Sequence, residues 1–78
     1  MAKLKRGDVC VIFRMKKNSD YYDDRKLLYG RKVEIRTEEP DKLPGGYVEC
    51  VVRLLENIPG FHLEAGHQIL ARAILKKI

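Results

Sequence analysis

The chain has 78 residues, 45% hydrophobic and 35% charged, with a formal charge of +5. That length predicts one domain spanning residues 1–78, whose core is a single layer of side chains with little room for a deep catalytic cleft. The apolar content excludes a disordered tail, and no apolar stretch approaches the length of a membrane span.

Residues 8–14, "DVCVIFR", place Val9, Val11 and Phe13 on one face and Cys10 and Ile12 on the other. β-branched residues this dense predict a strand, buried on both sides for part of its length. The preceding Arg6-Gly7-Asp8 is the tripeptide that adhesion ligands display on exposed loop tips. Here it runs straight into the strand, so Gly7 and Asp8 read as the turn that starts it. Residues 15–30, "MKKNSDYYDDRKLLYG", are polar and rich in turn formers. They predict a long irregular loop with one helical turn, tacked to the barrel by Tyr21, Tyr22, Leu27 and Leu28. The alternative is a short helix capped by Ser19 and closed by Gly30.

Residues 31–39 alternate, with Val33 and Ile35 inward and Lys32, Glu34 and Arg36 outward. Residues 40–46, "PDKLPGG", predict a hairpin loop. Residues 47–57 resume the alternation, with Val48, Cys50, Val52 and Leu54 on one face. The last segment is ambiguous. Ile69 and Ala73, and Leu70, Ile74 and Ile78, meet helical spacing, and "ARAIL" contains good helix formers. The expectation is a short strand over 67–70, a helical turn over 71–74 and a final strand over 75–78. Four or five short strands with tight later turns predict a mainly β fold, a small antiparallel barrel whose closure removes exposed edges.

"KRGDVCVI", a variable loop and "YGRKVEI" resemble the opening of SH3-like barrels of the KOW type, on Gly7, Asp8, Val9, Val11, Gly30 and Val33. The ending "ILARAILKKI" is similar to the close of short SH3-like proteins of phage and prophage genomes. The resemblance implies an SH3-like barrel of about five strands with one helical turn near the C-terminus. It implies less about function, because this barrel hosts many unrelated activities. The loop after the first strand departs from the KOW pattern, with Arg14, Met15, Lys16 and Lys17 where glycines normally stand, so the family's RNA contact is not carried over. The Lys-Arg-Gly-Asp opening is also similar to MazF-type toxin ribonucleases. This shorter chain lacks the Arg-Pro, apolar and Ser continuation of their pattern.

Chemistry-bearing residues are sparse. Cys10, Cys50, His62 and His67 lack the paired short spacing of zinc ligands, so no metal or cofactor is expected. Cys50 falls on an inward face, where a thiol is not activated, and no catalytic residue is expected. Two cysteines inside apolar runs read as free buried thiols. With no signal peptide visible, the expected location is cytoplasmic.

The charge is concentrated in residues 1–36, which hold 11 basic and 5 acidic groups against 5 and 6 in the remainder. The first loop and its flanks carry Arg14, Lys16, Lys17, Arg25, Lys26, Arg31 and Lys32, interleaved with Tyr21, Tyr22 and Tyr29. Cations that track a backbone and aromatics that stack bases are the requirements of a single-stranded nucleic-acid site. Asp20, Asp23 and Asp24 in the same loop oppose phosphate. The expectation is a non-enzymatic binding module of phage or prophage type that takes RNA or DNA through this loop. The alternative is a protein-interaction module or inhibitor acting on a host or phage protein, since Tyr and Arg also suit protein interfaces. Self-association through barrel edges is compatible with either.

Overall fold

The computed structural model describes residues 4–19, 23, 25–60 and 63–78, with only the backbone of Arg25. Along the chain come β1 (Val9–Met15), the single-turn helix α1 (Arg25–Leu28), β2 (Lys32–Ile35), β3 (Asp41–Lys42), β4 (Val48–Leu54) and β5 (Gln68–Lys77). A 3-10 turn occupies Pro44–Gly46. All pairings are antiparallel. β1 pairs with β2 and β5, and β4 pairs with β5 and β2, so four strands close a ring. β3 lies beside the first residues of β4. The result is a mainly β, closed antiparallel barrel compatible with the SH3-like fold.

Closure depends on how β4 divides one of its edges. Its start pairs with β3 and its end with β2. Between them, Arg36 N–H donates to the Val51 carbonyl at 2.9 Å, and Val51 N–H donates to Thr37 Oγ1 at 2.8 Å. Thr37 thus replaces a missing ladder partner where the chain bends from β2 toward β3, and no buried donor is left unpaired there.

The alternation in β2 and β4 holds: Val33, Ile35, Cys50, Val52 and Leu54 are buried, joined by Cys10 and Ile12 from β1. β1 is buried on one side only. Val9 and Val11 are half-buried and Phe13 is 50% exposed. After Ile12 the register slips by one, so that Arg14, not Phe13, faces Ile74 of β5. This β-bulge turns Phe13 and Arg14 outward in succession and returns Met15 to the core.

The C-terminal expectation requires correction. Residues 68–77 form one continuous strand, with no helical turn over 71–74 and no separate strand over 75–78. Ile69, Ala71, Ala73 and Leu75 point inward with a period of two, a pattern the helical reading also tolerated. The decision is tertiary. β5 lies between β1 and β4 and satisfies the backbone groups of both, and a helical turn would leave those groups unpaired. The helical turn near the hairpin tip is instead the one at Pro44–Gly46. The 40–46 hairpin loop also contains a two-residue strand, β3, and closes through Leu43 N–H donating to the Tyr47 carbonyl at 2.8 Å.

The long first loop contains its helical turn, α1, which places Leu28 in the core and Leu27 against it. Gly30, at φ 79°, ends the turn in the left-handed region and donates its N–H to the Ile12 carbonyl at 2.8 Å. Ser19 does not cap this helix. Its hydroxyl donates to the Arg72 carbonyl and accepts from Arg72 N–H at 3.0 Å, tying the loop to β5.

The Arg6-Gly7-Asp8 triplet forms the entry turn. Gly7 has φ 92°, and its N–H donates to the Ile35 carbonyl at 2.8 Å. Asp8 is 8% exposed, accepts from Lys5 N–H at 3.0 Å and lies 3.5 Å from Lys77 Nζ. A carboxylate so engaged is not presented as an adhesion ligand.

Candidate nucleic-acid interface

The outward side of β2, β1 and β5 forms a continuous surface on which β1 is central. Val11 faces Lys32 on β2 and Lys76 on β5, so two exposed lysines bracket an apolar strip. With neighbouring strands about 4.8 Å apart, the two lysine stems rise roughly 10 Å from one another. Beyond the bulge, exposed Arg14 faces half-buried Ile74. Lys76 Nζ sits over the Phe13 ring, 4.1 Å from its centroid.

Among the described residues, four carboxylates near this surface are held in ion pairs. Glu34 pairs with Arg36 at 3.4 Å, Glu49 with Arg72 at 3.0 Å, and Asp8 with Lys77 at 3.5 Å. Glu56 accepts from Lys32 N–H at 2.8 Å and pairs with Arg31 Nη1 at 3.3 Å. Among the described residues, Arg14, Lys32 and Lys76 form no ion pair with a carboxylate, although the Lys32 charge acts on Glu56 at longer range.

The residues singled out in the sequence therefore divide. Arg14 and Lys32 share the outward sheet face. Lys17 and Lys26 are exposed on the first loop. Lys16 is half-buried, with its ammonium 5.4 Å from the centroid of the Tyr47 ring, at the start of β4. Arg31 is tethered within the fold, with Nε donating to the Leu27 carbonyl at 3.1 Å and Nη1 on Glu56. Tyr21 and Tyr22 lie outside the described residues, as does the side chain of Arg25. Tyr29 directs its hydroxyl at Met15 N–H, 3.4 Å away, and so pins the loop to the end of β1. Sequence reasoning missed Lys76 and the prominence of Phe13. The first lies far from the loop in the chain, and the second shares the Val9 and Val11 face of a strand expected to be buried on both sides for part of its length.

The hydrogen bond from Lys32 N–H, followed by Arg31, holds the Glu56 carboxyl below its ordinary value of 4.5. A carboxylate with a lowered folded pKa stabilises the fold above its unfolded value and loses that contribution as pH falls through the folded one. Glu56→Gln is therefore expected to lower stability at pH 7 by no more than about 1 kcal/mol, because the pair is exposed enough to be screened by solvent. The difference from the parent should fade in urea titrations as the pH drops below the ordinary carboxylate range and the folded Glu56 becomes protonated. A gap that persists there would mean that Glu56 acts through packing, not charge.

The two thiols are enclosed. Cys10 and Cys50 are buried and unpaired. Burial, with Cys10 and Glu49 nearby, pushes the Cys50 thiol up to about 11, and burial likewise raises Cys10. A thiol so placed is protonated at neutral pH and is a poor nucleophile. His67 is exposed, and its Nδ1 accepts from Glu64 N–H at 2.8 Å within its own turn, while His62 lies outside the described residues. Among the described residues, no three potential metal ligands cluster, and no helix is long and apolar enough to cross a membrane. No protein-family model, curated protein or solved structure matches the chain.

Proposed function

We propose that this protein is a non-enzymatic binding module that takes nucleic acid on the outward face of β2, β1 and β5 and the adjoining first loop. We place it with the small phage- or prophage-type accessory proteins that its closing motif resembles in sequence, although it lacks the helical turn that this resemblance implies. One observation carries the reading. Asp8, Glu34, Glu49 and Glu56 are each in an ion pair with another cation, while Arg14, Lys32 and Lys76 stand on one face and form no ion pair among the described residues. Pairing removes the local anions, and the residual positive field attracts a polyanion.

Phosphate contacts release counterions, so affinity for mixed-sequence oligonucleotides should fall steeply between about 50 and 200 mM salt. For a single strand the logarithmic slope is about −0.7 per phosphate neutralised. Joint replacement of Arg14, Lys32 and Lys76 by glutamine should therefore flatten the slope by about 2. Fluorescence anisotropy measures both. Absence of binding at low salt overturns the reading and leaves a protein partner as the alternative for this face.

A further inference from the structure

We propose that Phe13 is a base-stacking platform, and hence that the ligand of this face is single-stranded nucleic acid. This deepens the nucleic-acid reading above and rests on it.

The bulge supplies the geometry. Ile12 is paired with Leu75 and Arg14 with Ile74, so Phe13 is the extra residue, held between two fixed rungs of the ladder. An extra residue at this point could have been small or polar. It is instead an aromatic side chain, 50% exposed. The ammonium of Lys76 lies over the ring, 4.1 Å from its centroid, so a positive charge already rests on the π surface. Arg14 follows Phe13 directly and is also exposed. A ring with one cation over its face and another on the next residue matches the chemistry of one nucleotide, with the base displacing Lys76 from the ring toward a phosphate and Arg14 reaching a neighbouring one. Glu34, the outward carboxylate of β2, is drawn to Arg36 and does not oppose this.

The same geometry selects the form of nucleic acid. A duplex keeps its bases stacked inside and presents phosphates, so it can use the lysines but not the ring. A single strand offers both, and base–aromatic stacking is tolerant of sequence because every base has a π face. The bulge is bracketed by paired rungs to β5 at Ile12 and Arg14, so the backbone that carries the ring is fixed before the ligand arrives.

The test uses the whole chain and three probes: oligothymidine of about 12 nucleotides, a duplex of the same length, and inorganic polyphosphate as a polyanion without bases. Phe13→Ala should weaken oligothymidine binding by about 5- to 150-fold. It should leave duplex and polyphosphate affinities and the salt slope unchanged. Circular dichroism checks that the barrel persists. Phe13→Trp should retain binding, and because the chain has no tryptophan, quenching of the introduced indole by oligothymidine reports stacking directly. An unchanged affinity of Phe13→Ala for oligothymidine overturns the platform. The nucleic-acid reading survives that result if joint replacement of Arg14, Lys32 and Lys76 still weakens binding and flattens the salt slope. Equal weakening on all three probes also overturns it, because Phe13 would then act only by positioning Lys76. No binding of the parent protein to any nucleic acid removes both proposals.

Discussion

Replacing Ile12 by alanine is expected to destabilise the barrel by about 2 to 5 kcal/mol. Ile12 is fully buried and stands at the last regular rung of β1 before the bulge, opposite Leu75. Its backbone cannot withdraw to fill the space. Ile12 N–H donates to the Arg31 carbonyl at 3.2 Å, and its carbonyl accepts from Gly30 N–H at 2.8 Å. The cavity therefore stays open, and its cost adds to the lost burial. A domain of this size has a total stability of roughly 4 to 12 kcal/mol, so the variant would forfeit a large share of it. Urea unfolding followed by circular dichroism measures the shift. Ile78→Ala serves as the reference, since Ile78 is 68% exposed and its loss should cost within about 0.5 kcal/mol. Equal effects of the two substitutions would contradict the assignment of Ile12 to the core.

Ala73→Leu should destabilise by about 1 to 3 kcal/mol, through overpacking instead of a cavity. Ala73 is fully buried on β5, facing Met15 on β1 and Val48 on β4. Both neighbours project into the same interior, which leaves no volume for three further carbons. The substitution also separates the two readings of the C-terminal segment. Leucine is nearly as good a helix former as alanine, so a helical turn over 71–74 would accept it. A strand interior would not. Ile74→Leu, on the outward and half-buried face, gives the comparison and should cost less than about 1.5 kcal/mol. Thermal unfolding of both variants decides the matter, and a neutral or stabilising Ala73→Leu would argue against the buried strand.

The candidate interface was only half legible in the sequence. Arg14 and Lys32 stand out as basic residues flanking the first loop, and the structure brings them to one face. Arg31 looks the same in the sequence, yet it is held by Glu56 and the Leu27 carbonyl. An ion pair between residues 25 positions apart has no local signature. Lys76 is invisible for the same reason, since its place beside Phe13 depends on β5 lying next to β1.

What the sequence determined by itself is the set of alternating strands and the turns between them. β2 and β4 read directly because period-two alternation of branched apolar residues has one half-buried solution, and Gly7 and Gly30 mark turns that need the left-handed region. The closed barrel followed because a sheet this small would otherwise leave bare edges. Tertiary structure alone decided three things. It made residues 68–77 a single strand, because two neighbouring strands needed its backbone on both sides, a demand that outweighs local helix propensity. It placed the bulge at Phe13, because the ladder with β5 slips there and no residue type announces it. It chose which cations remain free, because that depends on which carboxylates the fold brings within reach.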